Sequence, residues 1–315
     1  PMLLADAIAA HLAALTLANL APSTVASRAV LLRAFARWGA AVGLRDWREC
    51  SAAQAAAYRV HLADAAGGLS LRVQRNRLAA LRALSAWLHA QRLAPADPAA
   101  ALPLPRLPQR LPPSVLSLRE AERVLRRPRL GTPLGERDHA ILELLFSAGL
   151  RRGELLALDV TDLDLDRHLV CVRHGKGGRE RLAPLGRRAV YWLRRYLDGA
   201  RRALLRDAGT PALFIGTRGT RLTRARLNER LRRYLDEAHV EKRGSCHVWR
   251  HTMATVMHDR GADIRDLQVL LGHAQLSTTA LYTQVSAERL LRVHRRTHPS
   301  WRLPDPAGEP PATLT

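Results

Sequence analysis

The chain has 315 residues, and its apolar fraction of 47% is enough to bury one or two hydrophobic cores. Its 50 Lys and Arg outnumber 28 Asp and Glu, which gives a formal net charge of +22. This excess indicates a polyanionic partner such as nucleic acid, but an anionic membrane surface or a genomic preference for arginine predicts a basic chain as well. The three cysteines show no C-x-x-C spacing, which argues against a disulfide framework and a cysteine zinc site.

The first twenty residues are apolar, yet they lack a basic leader and contain Asp6 and His11. They also fall short of the roughly 20 uninterrupted apolar residues that are needed to span a bilayer. The cysteine usage is typical of a reducing compartment. We therefore expect a cytoplasmic protein with no membrane segment.

Residues 3–93 read as a series of helices separated by recognisable starts and stops. In the last of these helices, leucines recur at helical spacing between residues 71 and 88, and arginines occupy neighbouring positions. The pattern predicts a helical domain over residues 1–94 with a basic flank, which is either a solvated face or a face that binds DNA. The starts and stops are Pro22-Ser23, Gly43, Ser51, Gly67-Gly68 and Ser70.

A proline-rich segment separates this domain from the rest of the chain. Residues 95–113 contain seven prolines and almost no helical period, which predicts a stiff, extended linker. Ser117 and Glu120 then match a capping box, so a helix is expected to begin near Ser117. The second domain is predicted at residues 114–298, and residues 299–315 are expected to form a disordered tail.

The second domain is predicted to be helical apart from one hairpin and one short strand. Apolar stretches at residues 169–172 and 181–184 flank a glycine-rich turn with Lys176 at its tip. A further strand is expected at residues 212–215, and helices are expected to continue to about Arg296. The predicted fold class is mainly α, with a small β-hairpin or sheet in the second domain.

Five short motifs with chemically useful side chains are spread over the second domain. Each motif is weak evidence alone, because a single arginine at a helix start is usually a surface charge and a helical tyrosine is usually a packing residue. In chain order the motifs are Gly149-Leu150-Arg151-Arg152-Gly153-Glu154-Leu155, Gly175-Lys176-Gly177, His247-Val248-Trp249-Arg250-His251, Leu271-Gly272-His273 and Tyr282.

In this order and spacing the motifs resemble the tyrosine recombinase family, which includes phage integrases and Xer-type site-specific recombinases. The resemblance covers essentially the whole chain, because a helical core-binding domain, a linker and a larger catalytic domain form the family layout. It implies a site-specific DNA recombinase that cleaves and rejoins DNA through a 3′-phosphotyrosine intermediate, without metal or ATP. Integration, excision and replicon resolution are the processes in which such an enzyme acts.

The resemblance also assigns roles to residues by their position in the motifs. The sequence departs from the family pattern at Arg152-Gly153, Cys246 and Trp249, and none of these replaces a catalytic group. Arg152 adjoins the first arginine, but an acid three residues after Arg151 favours Arg151 as the inward-facing side chain. The candidate catalytic residues are Arg151, Lys176, His247, Arg250, His273 and the nucleophile Tyr282, with Glu154 as a supporting acid.

The chemistry explains why these residue types are needed. Cleavage of a phosphodiester adds negative charge to the non-bridging oxygens, and Arg151 and Arg250 can stabilise it with bidentate hydrogen bonds. His247 and His273 can add donors, and His247 can also accept the proton of the attacking phenol. The leaving 5′ oxygen needs a proton, and Lys176, one of only two lysines, is a better acid than any arginine.

The histidine pairs raise the question of a metal. His247 and His251 lie four residues apart, as do His294 and His298, and such a spacing can chelate zinc on a helix. Neither pair is accompanied by a zincin motif, so no metal and no cofactor are expected, and His294 and His298 are predicted to lie on the surface. The full P-loop pattern is absent around Lys176, which argues against a nucleotide phosphate cradle.

The resemblance further implies double-stranded DNA as the partner, bound by a tetramer that acts on two DNA sites in the cytoplasm, associated with the nucleoid. A partner recombinase or a DNA-bending protein is a possible addition. Leu290, Leu291 and Val293 offer an apolar face that can dock on a neighbouring subunit or pack in cis. Two alternatives stay open: a type IB topoisomerase-like enzyme, and a catalytically inactive DNA-binding regulator of the same fold.

Overall fold

The computed structural model describes residues 2–64, 68–108, 115–173, 180–207, 209–242, 244–272 and 284–301, with the side chains of 284–288 excepted. The chain divides into two compact units, Pro1–Arg110 and Leu111–Thr315. Three residues predicted from the motifs, Lys176, His273 and Tyr282, lie outside the described residues.

The described part of the first unit contains four α-helices, and their bounds agree with the starts and stops read from the sequence. Ser70 caps the last helix by accepting a hydrogen bond from the backbone N–H of Val73. The core contains a cluster of aromatic rings, in which Phe35 lies 5.0 Å from Tyr58 and 5.7 Å from Trp38 between ring centroids. The helices are α1 (Leu4–Leu17), α2 (Pro22–Ala41), α3 (Ala52–Asp64) and α4 (Leu71–Ala90).

The first half of the expected linker packs on this helical unit instead of extending freely. Ala99 is fully buried and Leu102 is 6% exposed, and both belong to the core of the first unit. The carboxylate of Asp97 accepts a hydrogen bond from the Ser85 hydroxyl, and Arg75 donates to the carbonyl of Pro105 at 3.0 Å. The prolines prevent a helix here, but they leave the small and apolar side chains between them free to fill the core.

The second unit is mainly helical with a small sheet, which confirms the predicted fold class. Helix α6 lies at its centre, because every side chain from Arg137 to Ala148 is buried. No described helix is long and apolar enough to cross a membrane. The elements are α5 (Leu118–Leu125), α6 (Pro133–Ala148), α7 (Arg152–Ala157), β1 (Leu163–Asp164), β2 (Leu169–Val172), β3 (Arg181–Pro184), α8 (Arg187–Arg195), a π-helical segment (Tyr196–Ala200), α9 (Arg201–Leu204), α10 (Arg224–Glu237), α11 (Cys246–Asp259), α12 (Ile264–Leu271) and α13 (Gln284–Thr297).

The three strands form an antiparallel sheet in the order β1-β2-β3, and β2 pairs with β3 in the register Cys171 opposite Leu182. The strands of the predicted hairpin are therefore confirmed, while its tip lies outside the described residues. The strand predicted at residues 212–215 is wrong. The two ends of this segment bond to different neighbours, Asp159 and Arg221, in isolated bridges, so no continuous ladder forms.

The C-terminal end of the described chain differs from two predictions. Pro299–Trp301 form a 3₁₀ turn with Pro299 and Ser300 buried, so the expectation of a disordered tail is wrong for these three residues. His294 and His298 are fully buried, so their predicted surface position is also wrong. Their burial is explained by hydrogen bonds to the end of α6, more than 140 residues away in the sequence.

The predicted capping box at the start of α5 is present and provides a test of this local structure. Ser117 Oγ accepts from the Glu120 backbone N–H at 3.2 Å, and a Glu120 carboxylate oxygen accepts from the Ser117 N–H at 2.7 Å. We expect Ser117→Ala to lower the free energy of unfolding by about 1 kcal/mol, because a helix cap is lost. Urea unfolding followed by circular dichroism measures the change, and Ser117→Thr should stay close to wild type. An equal loss in both variants would contradict the capping role.

Candidate active site

The first arginine of the motifs is held where α6 ends and α7 begins. Gly149 follows α6 with a φ of 57°, a left-handed conformation that glycine adopts without strain, and the chain then turns to Arg151. A Cβ atom at Gly149 would lie 2.5 Å from the Cε of Met253, the flexible end of a side chain that can shift, so the left-handed φ is the main reason for glycine here. Arg151 Nη1 donates to Glu154 Oε1 at 2.7 Å, and its Nη2 donates to the Gly272 carbonyl at 2.9 Å.

The neighbouring Arg152 points away from this cluster. Its Nη1 lies 3.4 Å from the side-chain oxygen of Asn228 on α10. The backbone N–H of Arg151 donates to Glu154 Oε2 at 2.8 Å, which fixes the start of α7 in the register favoured by the sequence. Arg151 is therefore the arginine that the fold brings to the site.

Glu154 is buried between two arginines, one of which was not identified from the sequence. Arg181 on β3 donates through Nη1 and Nη2 to the two carboxylate oxygens of Glu154, at 2.9 and 2.8 Å. Its Nε donates to the Leu270 carbonyl at 3.2 Å on α12. Arg181 therefore joins β3, α7 and α12. The sequence signal that could have identified it is its position five residues after Lys176 in the same predicted hairpin.

The pKa of Glu154 reflects these contacts. Burial alone would raise the pKa of this carboxyl, but the hydrogen bond and charge of Arg181, followed by the backbone and side-chain hydrogen bonds of Arg151, outweigh burial and lower the pKa to about 2. The side chain is therefore an anion throughout the physiological range.

Arg250 is the second arginine of the site, and it lies on α11 with 6% of its surface exposed. Its Nη1 donates to the Gly149 carbonyl at 2.8 Å, and its Nη2 donates to the Leu271 carbonyl at 2.5 Å. Burial, and then the positive charge of Arg151, lower the pKa of Arg250 to about 9. The guanidinium is still protonated at neutral pH, and the positive charge of Arg151 adds to the burial that lowers its pKa.

The electrostatics of the cluster therefore favour an anion. Among the described residues, the guanidinium groups of Arg151 and Arg181 pair with the carboxylate of Glu154, and Arg250 is affected by its charge without a bond to it, so positive charge remains in excess. A guanidinium has five N–H donors, and the bonds described above leave some of them unused on Arg151 and Arg250. An oxyanion bound here would accept hydrogen bonds from these donors and reduce the electrostatic repulsion among the three guanidinium groups.

The two histidines of the third motif lie on the first turns of α11. His247 and His251 are both exposed. Burial of part of the ring, followed by the charges of His247 and Arg250, lowers the pKa of His251. Trp249, between them in the sequence, is fully buried and packs edge-to-face on Phe146 with centroids 5.9 Å apart. Among the described residues, no group of three or more His, Cys, Asp or Glu side chains is arranged to hold a metal.

The described chain brings Arg151, Glu154 and Arg250 into one cluster, while the exposed His247 lies three residues before Arg250 on the same helix. His273 directly follows Gly272, whose carbonyl accepts from Arg151. Lys176 and Tyr282 lie outside the described residues. In the sequence, Lys176 falls between β2 and β3, and Tyr282 falls between α12 and α13.

The low pKa of Glu154 predicts a specific dependence of stability on pH. A carboxyl whose pKa is lower in the folded chain stabilises the fold above its unfolded pKa, and this contribution is lost as the pH falls from about 4.5 towards 2. We expect Glu154→Gln to lower the free energy of unfolding by about 3 kcal/mol at pH 7, and by much less near pH 2.5. Urea unfolding at both values measures the difference.

The control for this prediction is Glu229→Gln. Glu229 is exposed on α10 and pairs with the exposed Arg226, so its removal should have little effect at either pH. A destabilisation by Glu154→Gln that is equally large at both pH values would show that the ion pair is not its cause.

Comparisons with known proteins agree with the site. Residues 114–289 match the phage integrase family. The chain is 40% identical to tyrosine recombinase XerC 2 of Ralstonia nicotianae over 295 residues, which cover 92% of this chain and 85% of that protein. It is 41% identical to tyrosine recombinase XerD of Yersinia pestis over 234 residues, which cover 74% of this chain and 78% of that protein.

A solved structure shows that the fold is shared as well. The crystal structure of the XerH site-specific recombinase bound to a palindromic difH substrate superimposes with a TM-score of 0.67 at 22% identity, over 88% of this chain and 80% of that one. The chain therefore belongs to the phage integrase family of tyrosine recombinases, enzymes that transfer DNA strands at specific sites.

Proposed function

We propose that this chain recombines DNA at specific sites by a covalent mechanism in which Tyr282 is the nucleophile. The phenol oxygen forms a bond to the scissile phosphorus, the bond from phosphorus to the 5′ oxygen breaks, and a 3′-phosphotyrosine and a free 5′ hydroxyl result. Attack by a 5′ hydroxyl on the phosphotyrosine then restores a phosphodiester. The energy of the original bond is kept in the intermediate, so no nucleotide is consumed.

The observation that carries the proposal is the excess of guanidinium charge around Glu154. Arg151 and Arg250 are the proposed clamp on the non-bridging oxygens, because both retain N–H donors after bonding to backbone carbonyls. Their carbonyl partners fix the direction of each guanidinium before DNA binds, so little reorganisation is needed when charge develops. Glu154 is the proposed supporting acid that holds Arg151 in place.

The remaining roles concern proton transfer. His247 accepts the phenol proton or donates to a non-bridging oxygen, and His273 adds a second donor. Lys176 gives a proton to the leaving 5′ oxygen, because an ammonium loses its proton more readily than an ordinary guanidinium. Arg250, whose pKa is lowered, already donates to two backbone carbonyls. When His247 accepts the phenol proton and Lys176 supplies the proton of the leaving group, both protons are accounted for.

The proposed partner is double-stranded DNA. XerH and the Tn1549 transposon integrase, which share this fold, have been solved in complexes with DNA. We propose a tetramer that acts on two DNA sites, with a partner recombinase or a DNA-bending protein as a possible addition, and a nucleoid-associated location in the cytoplasm. The domain boundaries proposed from the sequence, 1–94 and 114–298, then separate core binding from catalysis.

The nucleophile can be tested with a duplex that carries the cognate site, located beforehand by footprinting, and a nick close to the scissile phosphate. The nick lets the short leaving strand diffuse away, so the covalent protein–DNA adduct accumulates. We expect Tyr282→Phe to abolish the adduct in denaturing gels, because the attacking oxygen is lost. Tyr191→Phe, on α8, should form it as wild type does. Adduct formation by Tyr282→Phe would refute the assignment.

The acid role of Lys176 can be tested separately from its charge. We expect Lys176→Ala to reduce the rate of adduct formation by about 100-fold or more, a common magnitude for loss of a general acid. Replacing the bridging 5′ oxygen by sulfur should restore most of the rate, since a thiolate leaves without prior protonation. Lys242→Ala is the matched control, and it should respond to sulfur as wild type does. A Lys176→Ala defect that sulfur leaves unchanged would show that Lys176 is not the acid.

A further inference from the structure

The end of α13 and the turn that follows it contain two buried imidazole rings. His294 and His298 have no exposed surface, and their rings are stacked with centroids 4.4 Å apart and an interplanar angle of 6°. Buried histidines are hydrogen-bonded in stable structures, and the partners of these two define their charge.

One nitrogen of each ring donates to the end of α6. His294 Nε2 lies 2.8 Å from the carbonyl oxygen of Ser147, and His298 Nε2 lies 2.9 Å from the carbonyl oxygen of Phe146. A carbonyl oxygen accepts and never donates, so both Nε2 atoms carry a hydrogen.

The other nitrogen of each ring accepts. The indole N–H of Trp301, which is a donor only, lies 2.8 Å from His294 Nδ1. The backbone N–H of Ser300 lies 3.1 Å from His298 Nδ1. His294 is therefore a neutral Nε2–H tautomer, because a proton added at its Nδ1 would point at the indole N–H of Trp301, which can only donate. The neutral Nε2–H form of His298 accepts from the backbone N–H of Ser300 and from its hydroxyl, 2.7 Å from Nδ1. That hydroxyl can turn to accept from a protonated Nδ1, so the geometric bar to protonation is at His294.

The two carbonyls belong to the last turn of α6, where backbone oxygens have no partner within the helix. The imidazoles thus cap α6 from outside. The chain that leaves α6 reaches Arg151 three residues after Ala148, and α13 begins at Gln284, two residues after Tyr282. The caps therefore connect the segment that supplies the phosphate clamp with the segment that follows the proposed nucleophile.

We propose that His294 and His298 are positioning residues that hold α13 on α6 while their rings are neutral, so that protonation, above all of His294, releases the helix that follows Tyr282. The expected effect on the reaction rests on the proposed function, whereas the hydrogen-bond pattern of the two histidines is independent of it.

The groups that surround the pair oppose protonation. Arg188 on α8 and Arg260 at the end of α11 act on His298, and His168, before β2, acts on His294. Arg187 and Arg295 lie over the ring of Trp301, 6.0 and 5.1 Å from its centroid. The partial negative charge of the α6 C-terminus favours protonation of the rings, but burial of the rings outweighs this effect.

The direction of the pH dependence follows from this environment. Burial, opposed by the bond to Ser147, lowers the pKa of His294 to about 4. Burial, and then the charge of His294, lowers the pKa of His298 well below its usual value. A histidine with a lowered folded pKa stabilises the docked helix fully above its unfolded pKa of about 6.5. This contribution is lost as the pH falls through the interval down to about 4.

The tautomers can be measured directly in the full chain by nitrogen NMR of labelled histidine. The spectra of His294→Gln and His298→Gln assign the two rings by the signals that each variant lacks. We expect both rings to show the Nε2–H tautomer at pH 7.5 and to show no titration between pH 8 and about pH 5.5. Titration of either ring near 6.5, or an Nδ1–H tautomer, would overturn the proposal whatever the activity of the protein.

The positioning role is tested by adduct formation on the nicked cognate duplex at pH 7.5 and 4.5. Leucine at 294 or 298 removes the donor, and we expect at least about a tenfold slower reaction at pH 7.5. Glutamine keeps a neutral N–H donor, so each glutamine variant should react within about threefold of wild type at pH 7.5 and lose less rate than wild type at pH 4.5. His258→Leu, at an exposed position on α11, is the control.

The outcomes separate this inference from the proposed function. If wild type forms no adduct at pH 7.5, the proposed function fails, and the NMR result still decides the tautomers. If wild type reacts and both leucine variants react equally fast, the positioning role is wrong. A glutamine variant that loses rate at pH 4.5 as steeply as wild type would show that other groups cause the acid loss.

Discussion

The buried carboxylate of Glu154 is the interaction on which the arrangement of the site depends. It accepts two side-chain bonds of Arg181 from β3 and a side-chain bond of Arg151 from the start of α7, and Arg181 makes a third bond to the Leu270 carbonyl of α12. Without this anion the guanidiniums would repel one another in a poorly solvated space. Because it is present, elements far apart in the chain are fixed around one point that is still deficient in negative charge.

The C-terminus of α6 is the second constraint, and it acts through backbone carbonyls that have no partner within the helix. The end of a helix leaves backbone acceptors without partners and carries partial negative charge, so donor side chains are stabilised there. Three described donors, from α11, from α13 and from the turn that follows α13, bind this end, and one of them is the second arginine of the proposed clamp. The pairs are His298 with Phe146, His294 with Ser147 and Arg250 with Gly149. The end of α6 and the candidate catalytic cluster are therefore parts of one hydrogen-bonded structure.

Local signals in the sequence predicted the local structure well, because caps, turns and strand pairs depend on neighbours in the chain. The capping box at Ser117 and the β2–β3 hairpin are examples. Positions that depend on distant partners were not predictable in this way. Arg181 acquires its role from an acid 27 residues earlier, and His294 is buried by a carbonyl 147 residues earlier. Spacing suggested a surface histidine pair, and only the packing of α13 on α6 reverses that expectation.

The two lysines of the chain show what the rarity of a residue type does and does not indicate. Lys242 is one of two lysines in an arginine-rich chain, and its Nζ bonds to a Glu120 carboxylate oxygen at 2.6 Å. An ion pair of this kind needs a permanent cation, and arginine provides one equally well. The rarity of lysine therefore does not by itself identify a group that must lose its proton. The case for Lys176 depends instead on the chemistry of the leaving oxygen, which needs an acid in a site where the described cations are guanidiniums.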